Sequence, residues 1–210
     1  GLGKITIDGV KSLKGTTYTP IYDRIEAGTF MIAAAITNSK IKINGANEEH
    51  LRPVIEKLKE CGVIFSDYKN DSVVVDGRGP KKPLDIKTLP YPGFPTDMQA
   101  QIMGLLSIVE GVSVITETVF ENRFMHVAEL NRMGANIKID GRIAIIEGVP
   151  KFTGCQVKAT DLRAGAAMIL SGLAAEGETE IGDIFHIDRG YVNIEEKFRN
   201  IGAEIYRVEV

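Results

Sequence analysis

The chain has 210 residues, of which 44% are hydrophobic and 25% charged, a composition typical of globular proteins. Its net charge of -3 gives no electrostatic reason to expect nucleic acid or a membrane surface as a partner, and no apolar run approaches the ~20 residues of a membrane span. Two cysteines and three histidines at unrelated spacing predict neither a disulfide framework nor a zinc site. We therefore expect no metal and a reducing, cytoplasmic location.

The first residues of the chain have the pattern of a strand that elsewhere in the sequence ends a repeated unit, but no such unit precedes them. Residues 4–15 repeat the pattern of residues 144–154 almost step for step, and their alternation predicts a unit-closing strand at residues 4–9. This strand either closes the last unit of the chain or belongs to a preceding unit. We expect it to fill the edge beside Ile205–Val208, because an open strand edge is a liability. Residues 1–20 are thus predicted to be a closing strand and a linker.

Residues 21–210 are predicted to form one domain of three similar units. The units span about residues 21–78, 92–149 and 157–210. Each opens with an aspartate at the head of a helix rich in small residues, and the aspartates are Asp23, Asp97 and Asp161. Each later contains an amphipathic helix that ends at a glycine, which is typical of a helix C-cap. These glycines are Gly62, Gly134 and Gly202.

Within each unit the pattern predicts the same order of elements. The small-residue helices run roughly from Arg24 to Ile36, Met98 to Val109 and Leu162 to Ala175. Each is followed by a strand, the amphipathic helix and a hairpin. Asp140-Gly141 in the second unit is a strong two-residue turn signal, and Asn70-Asp71 takes that place in the first unit. The repeat is therefore a βαβαββ unit, which predicts a mixed α/β (α+β) fold with helices inside.

Four motifs carry a resemblance to a known family. They are Pro90-Tyr-Pro-Gly-Phe-Pro-Thr-Asp97-Met-Gln-Ala-Gln101, Glu117-Thr-Val-Phe-Glu-Asn-Arg123-Phe-Met-His126, Ala159-Thr-Asp161-Leu-Arg163-Ala and His186-Ile-Asp-Arg189-Gly-Tyr191. Together they resemble the UDP-N-acetylglucosamine 1-carboxyvinyltransferase family of enolpyruvyl transferases. The resemblance covers essentially the whole chain but only the second, C-terminal half of the family's enzyme, which has two three-unit domains facing a cleft. It implies an inside-out α/β barrel built from a three-fold βαβαββ repeat.

The resemblance also implies a reaction and its partners. The family transfers enolpyruvyl from phosphoenolpyruvate to UDP-N-acetylglucosamine, the first committed step of bacterial peptidoglycan synthesis, in the cytoplasm and without a cofactor. The implied partners are these two substrates and the missing N-terminal half-domain, which in the family carries a lysine-asparagine pair and a mobile loop with the nucleophilic cysteine. Neither feature occurs in this chain, so we expect the chain alone to be inactive.

Two other functions remain open at this point. The chain could be a non-catalytic binding or scaffold domain of the same fold, because a fold does not determine a function. It could also be half of a transferase of the enolpyruvylshikimate-phosphate synthase type, which shares the fold. The run from Phe94 to Gln101 resembles the sugar-nucleotide branch instead.

Asp97 is the first candidate catalytic residue. Attack by a sugar hydroxyl requires a group that accepts or orients its proton, and the proline-rich turn before Asp97 presents its side chain at a helix start. On sequence alone an ordinary N-cap is the commoner role, and Asp23 and Asp161 are expected to be such caps. The resemblance assigns Asp97 to the sugar hydroxyl, and an orienting role is favoured over that of the base because a helix N-terminus stabilises the charged carboxylate.

Arginines are the candidates for phosphoenolpyruvate, whose carboxylate and phosphate suit two parallel hydrogen bonds. The resemblance makes Arg189 a catalytic, enolpyruvate-contacting residue, and a surface ion pair with Asp188 is the alternative. Arg163 lies one step inside its helix, near an anion-attracting N-terminus. Its alternative is an ion pair with Asp23 or another cap.

The remaining candidates lie in the motif loops. By resemblance, the backbone at Val119 contacts the sugar nucleotide, and Arg123 and Glu121 line the same cleft, although a core valine and a solvated loop pair are the alternatives. We expect the two motif histidines, His126 and His186, to hold loops by hydrogen bonding. Both cysteines are predicted to be small buried residues without a catalytic role.

Overall fold

The computed structural model describes residues 4–208. The helices are α1 (Arg24–Ile36), α2 (Glu48–Cys61), α3 (Gln99–Leu106), α4 (His126–Arg132), α5 (Leu162–Leu173), α6 (Phe185–Asp188) and α7 (Ile194–Asn200). The strands are β1 (Lys40–Asn44), β2 (Ile64–Lys69), β3 (Ser72–Asp76), β4 (Asp85–Lys87), β5 (Val112–Thr116), β6 (Asn136–Asp140), β7 (Ile143–Glu147), β8 (Phe152–Thr153), β9 (Gln156–Lys158), β10 (Ala175–Glu176) and β11 (Glu180–Gly182).

The second unit contains the whole predicted order of elements when β4, which precedes its predicted start at residue 92, is counted with it. It runs β4, α3, β5, α4, β6, β7, and its strands form a four-stranded sheet in the order β4-β5-β7-β6, with β4 parallel to β5 and the other pairs antiparallel. The first unit has the sheet β1-β3-β2, and in the third unit β9 pairs in parallel with β11. The predicted mixed α/β fold is confirmed, the full βαβαββ order is present in the second unit, and the strands of residues 4–208 form separate sheets rather than a closed barrel.

The first helix of each unit lies in the interior. All eight residues of α3 are buried, and α1 and α5 are buried along most of their length, as expected for helices that are apolar all round. Small residues let these helices approach closely. A Cβ built at Gly104 would lie 2.9 Å from the hydroxyl of Ser171, so α3 and α5 meet at a glycine. The sheets therefore lie outside a central group of helices.

The helix ends follow the predicted capping residues. Asp23 accepts hydrogen bonds from the backbone N–H groups of Ile25 and Glu26, and Asp161 accepts them from Arg163 and Ala164. Both aspartates are therefore N-caps. The three predicted C-terminal glycines all have positive φ, with values of 111°, 94° and 99° at Gly62, Gly134 and Gly202.

The two hairpin turns differ in detail. In the first unit Asn70 and Asp71 form the two-residue turn, and both have φ near +50°. In the second unit the predicted Asp140-Gly141 turn is displaced by one residue, because Asp140 pairs with Ile143 in the ladder. The loop there is Gly141-Arg142, with glycine at the position that has positive φ.

The expected strand at residues 4–9 is not formed. Residues 4–22 contain no helix or strand and are exposed, and Ile5 and Ile7 keep more than four-fifths of their accessible surface. The predicted pairing with Ile205–Val208 is therefore wrong, and the outermost positions, 1–3 and 209–210, lie outside the described residues. A lone strand gains neither ladder hydrogen bonds nor buried surface. The boundary between a linker at residues 1–20 and a domain at residues 21–210 stays a prediction.

The C-terminal segment provides no strand with which residues 4–9 could pair. Residues 203–208 are not a strand, and Arg207 forms ion pairs with Asp188 at 2.7 Å and Glu195 at 3.1 Å. These contacts hold the segment against α6 and α7. The third unit consequently ends, within residues 4–208, without the hairpin that closes the other two.

Candidate functional site

Five of the predicted site residues line one cavity. Its volume is about 470 Å³, and its walls come from the helix starts of the second and third units, the loop after β5 and the end of α6. The predicted residues in its wall are Asp97, Glu121, Arg123, Arg163 and Arg189. Another groove, of about 430 Å³ beside α2 and β4, contains none of the predicted site residues. The first cavity is therefore the candidate functional site.

Asp97 does not act as a helix cap. It lies in a short 3-10 turn, Thr96–Met98, whose N-cap residue is Pro95. Its carboxylate instead accepts hydrogen bonds from Arg123 at 2.7 Å and Arg163 at 3.3 Å. The Asp97 side chain keeps 38% of its accessible surface, whereas the two arginine side chains keep 17% and 14%. Asp97 thus presents a carboxylate oriented by two arginines to the cavity and differs from the capping aspartates Asp23 and Asp161.

Arg163 is held at the start of α5. Its backbone N–H donates to the Asp161 carboxylate at 2.7 Å, which fixes the first turn of the helix. Its guanidinium donates to Asp97 and, at 3.4 Å, to the hydroxyl of Tyr191. The alternative ion pair with Asp23 does not form, so the Arg163 side chain points into the cavity.

Arg189 is the exposed arginine of the cavity. It follows α6 directly and forms no ion pair with any residue between 4 and 208. The alternative partner, Asp188, binds Arg207 through two hydrogen bonds of 2.7 and 2.9 Å. Its carboxyl pKa is consequently lowered by these bonds to the guanidinium. The charge of Arg189 is therefore available to an anion in the cavity.

Val119 lies beside the cavity rather than in its wall. Its backbone N–H donates to the carboxylate of Glu117 at 2.8 Å, and the N–H of Phe120 donates to the same oxygen at 3.1 Å. Glu121 does line the cavity, where it pairs with Arg142 at 2.7 Å instead of Arg123. The Glu117 carboxylate therefore fixes the main chain of the loop at Val119 and Phe120.

Glu117 was missed as a site residue by the sequence reasoning. Only 1% of its surface is accessible, and its carboxylate also accepts hydrogen bonds from the hydroxyls of Thr88 at 2.7 Å and Thr96 at 2.9 Å. One buried carboxylate thus ties the loop at Val119 to the turn that presents Asp97. The sequence signal for Glu117 is its position directly after an apolar strand, as the first residue of the Glu117–His126 motif.

The two motif histidines do not hold loops by hydrogen bonds as expected. Nε2 of His126 and Nδ1 of His186 are buried without a hydrogen-bond partner among residues 4–208. The ring of His186 instead packs against that of Phe185, with centroids 4.1 Å apart. Burial lowers the pKa of His126 to about 4, with Asp161 raising it and Arg123 lowering it to smaller extents. His126 is therefore a neutral packing residue behind the cavity.

The buried His126 predicts a loss of stability in mild acid. Its folded pKa of about 4 lies below the ordinary value of 6.5, so protons bind preferentially to the unfolded chain between these values. The stabilisation is fully present above pH 6.5 and is lost as the pH falls towards 4. We expect His126 to account for roughly 2 kcal/mol of lost unfolding free energy between about pH 7 and pH 5. Urea denaturation of the wild type and His126→Gln at both pH values measures this, and equal pH dependence in the two proteins would contradict it.

The cysteines lie away from the cavity. Cys61 is buried, its thiol donates to the carbonyl of Lys82, and burial raises its pKa. Cys155 is only half-buried, so the prediction of burial holds for Cys61 alone. Within residues 4–208, no three His, Cys, Asp or Glu side chains are grouped as ligands for a metal ion. None of the helices in this range combines the length and hydrophobicity of a membrane crossing.

Comparison with known proteins places these features in a family. The family described as EPSP synthase (3-phosphoshikimate 1-carboxyvinyltransferase) matches residues 2–198. The UDP-N-acetylglucosamine 1-carboxyvinyltransferase 2 of Clostridium tetani is 66% identical over 208 residues, 99% of this chain and 50% of that protein. The UDP-N-acetylglucosamine 1-carboxyvinyltransferase 1 of Clostridium acetobutylicum is 67% identical, over 99% of this chain and 49% of that protein. The chain thus spans about half the length of these relatives.

Solved structures show the same fold. The crystal structure of the enolpyruvyl transferase NikO from Streptomyces tendae matches with a TM-score of 0.79 and 29% identity, covering 87% of this chain and 43% of that one. EPSP synthase from Acinetobacter baumannii matches with a TM-score of 0.60, covering 78% of this chain and 40% of that one. At 22% identity, the second comparison supports the fold alone.

Proposed function

The chain belongs to the EPSP synthase (3-phosphoshikimate 1-carboxyvinyltransferase) family, and we propose that it forms the C-terminal, substrate-binding half of a UDP-N-acetylglucosamine 1-carboxyvinyltransferase. The observation that carries the proposal is the convergence of Asp97, Arg123, Arg163 and Arg189 on one cavity. The names of the relatives at 66% and 67% identity support the choice of sugar nucleotide. The reaction would transfer enolpyruvyl from phosphoenolpyruvate to UDP-N-acetylglucosamine, in the bacterial cytoplasm, as the first committed step of peptidoglycan synthesis.

Asp97 is proposed to act on the sugar hydroxyl. As the hydroxyl oxygen adds to the enolpyruvyl carbon, its O–H bond breaks and the proton must be accepted. The addition also places a proton on the CH2 carbon of phosphoenolpyruvate, and loss of a proton from that carbon together with inorganic phosphate then restores the double bond. The Asp97 carboxylate is held by Arg123 and Arg163 and is partly open to the cavity, which suits it to orient the hydroxyl. Because these two cations share its charge, orientation is favoured over proton abstraction as its role.

The loop at Val119 is proposed to bind the sugar nucleotide. Its N–H group already donates to Glu117, which leaves the carbonyl oxygen of Val119 as the main-chain group for a donor on the sugar nucleotide. Arg123 lines the same end of the cavity and stacks over the ring of Phe120 at 4.9 Å. The loop therefore provides both a main-chain acceptor and a cation beside Asp97.

Arg189 and Arg163 are proposed to bind phosphoenolpyruvate. The co-substrate carries a carboxylate and a phosphate, and guanidinium groups bind both through paired hydrogen bonds. Arg189 has no competing carboxylate within residues 4–208, so it provides the first contact. Arg163 shares its charge with Asp97 and thereby links the anion to the group that orients the sugar hydroxyl.

The proposed partner is the other half of the enzyme, and the chain alone is expected not to catalyse the reaction. The reactive cysteine and the lysine-asparagine pair implied by the resemblance have no counterpart in this sequence. Titration of the ¹⁵N-labelled chain with UDP-N-acetylglucosamine should shift the amide signals of the loop at 119–123, and phosphate release from the mixture with phosphoenolpyruvate should stay at background. Asp140→Ala, at an exposed aspartate outside the cavity, should titrate like the wild type, whereas Asp97→Ala should bind more weakly.

Three outcomes would contradict this proposal. Absence of shifts with the sugar nucleotide would exclude binding by this half, and shifts caused only by 3-phosphoshikimate would favour the related EPSP synthase activity. Phosphate release above background would show that this chain carries a complete site.

A further inference from the structure

A buried polar cluster lies between α1, α3 and the residue Tyr191. It contains Thr29 of α1, Gln101 of α3 and Tyr191, which follows α6. All three side chains are almost fully buried, with Thr29 and Gln101 at 0% and Tyr191 at 1% exposure. The Tyr191 hydroxyl lies 2.9 Å from the Thr29 hydroxyl, and the Gln101 amide nitrogen lies 3.3 Å from the same oxygen. Buried polar groups are generally hydrogen-bonded, and in this cluster the Gln101 side-chain oxygen is the atom without a partner among residues 4–208.

The direction of each hydrogen bond in this cluster can be derived. The Thr29 hydroxyl donates its one proton to the carbonyl of Ile25 at 2.9 Å, so it can only accept from its other neighbours. Tyr191 must therefore donate its own proton to Thr29. Burial raises the pKa of Tyr191, which keeps that proton in place. The lone pairs of the Tyr191 oxygen then remain free to accept, and the N–H that reaches them belongs to Arg163.

The hydrogen bonds therefore form a series with one direction. The Arg163 guanidinium donates to Tyr191, Tyr191 donates to Thr29, and Thr29 donates to the main chain of α1. The guanidinium also lies over the Tyr191 ring, 5.7 Å from its centre. We propose that Tyr191 is a positioning residue that fixes the guanidinium of Arg163 for the anionic co-substrate. This inference rests on the proposed function, because it assigns Tyr191 a role in binding phosphoenolpyruvate through Arg163.

The geometry explains why Arg163 needs this support. Its other partner, Asp97, accepts from one terminal nitrogen at 3.3 Å and also binds Arg123 at 2.7 Å, so the second terminal nitrogen of Arg163 has only Tyr191, at 3.4 Å, to fix it. A long arginine side chain loses rotamer freedom when it binds a ligand, and a side chain that is already ordered loses less. Tyr191 would order one edge of the guanidinium before the anion arrives.

The first test uses the free chain and does not depend on substrate binding. In ¹H-¹⁵N spectra of the arginine side chains, the two terminal nitrogens of Arg163 should give separate signals in the wild type and in the control Tyr206→Phe, whose tyrosine is exposed. In Tyr191→Phe, which keeps the ring but loses the acceptor, the signals should merge as the guanidinium rotates. Separate signals of equal sharpness in Tyr191→Phe would overturn the inference.

A reciprocal measurement covers the case in which Tyr191→Phe does not fold. Loss of the Arg163 donor in Arg163→Lys should shift the ring signals of Tyr191, whereas Arg199→Lys, at an exposed arginine of α7, should leave them unchanged. Unchanged Tyr191 signals in Arg163→Lys would also overturn the inference.

The second test measures binding of phosphoenolpyruvate by calorimetry. Tyr191→Phe should raise the Kd about tenfold, as expected for ordering one arginine side chain on binding, but should have no further effect in an Arg163→Lys background. Equal effects in both backgrounds would show that Tyr191 does not act through Arg163. If the wild type binds no phosphoenolpyruvate, the proposed function fails for this half, while the spectra of the free chain still decide whether Tyr191 orders Arg163.

Discussion

Replacement of Asp97 or Arg189 by alanine in a protein that contains both halves should lower kcat/KM by about 10²- to 10⁴-fold each. Asp97 is the carboxylate of the cavity that two arginines hold while it stays partly accessible. Arg189 lines the same cavity without an ion pair in residues 4–208. Removal of Asp97 would leave the sugar hydroxyl unoriented, and removal of Arg189 would leave the co-substrate anion without its first cation. Phosphate release under initial-rate conditions measures both effects.

Two matched controls separate catalysis from folding. Asp23→Ala removes a genuine helix cap of the first unit, so it should cost about 1 kcal/mol of stability and leave the rate unchanged. Arg199→Ala removes an exposed arginine outside the cavity and should change neither. Wild-type turnover by Asp97→Ala and Arg189→Ala would refute the assigned site and would favour a non-catalytic scaffold.

Asp97→Asn distinguishes an orienting group from a base. The amide oxygen of asparagine still accepts a hydrogen bond from the sugar hydroxyl, but it cannot take the proton. If Asp97 orients the hydroxyl, Asp97→Asn should retain a larger share of the rate than Asp97→Ala. Equal losses in the two variants would assign proton abstraction to Asp97.

Much of the fold could be predicted because its signals are local. The bounds of α1, the turn at Asn70-Asp71 and the cap at Asp161 each depend on residues within one turn of chain. The site depends on contacts across the chain. Asp97 differs from a cap in lying inside a 3-10 turn and in binding arginines 26 and 66 residues away, so spacing alone could not separate it from Asp23 and Asp161.

The features that sequence reasoning missed all need partners distant in the chain. Glu117 binds threonines 29 and 21 positions before it and the loop directly after it, and Tyr191 contacts a threonine 162 positions away. A buried carboxylate and a buried tyrosine have no periodic pattern that would mark them. The strand expected at residues 4–9 failed for the same reason, because its alternation describes a strand but cannot supply a neighbouring one.

Gly148→Ala should destabilise the chain by about 3 kcal/mol, at the upper end of the usual cost of overpacking. Gly148 follows β7, and a Cβ built there would lie 1.7 Å from the carbonyl oxygen of Val109. This atom belongs to the main chain and cannot turn aside as a side chain could. The N–H of Gly148 also donates to Gly111 at 2.9 Å, so the strand end cannot move away without losing that bond.

Gly9→Ala is the matched control, because Gly9 occupies the equivalent position in the segment that copies residues 144–154. A Cβ at Gly9 would meet nothing within 4 Å, so this substitution should leave stability unchanged within about 0.5 kcal/mol. Urea denaturation followed by circular dichroism compares the two variants with the wild type. A loss of unfolding free energy at Gly9 as large as that at Gly148 would show that residues 4–15 pack as a third closing strand. The added methyl group can clash with a neighbouring main chain only if the segment is packed against one.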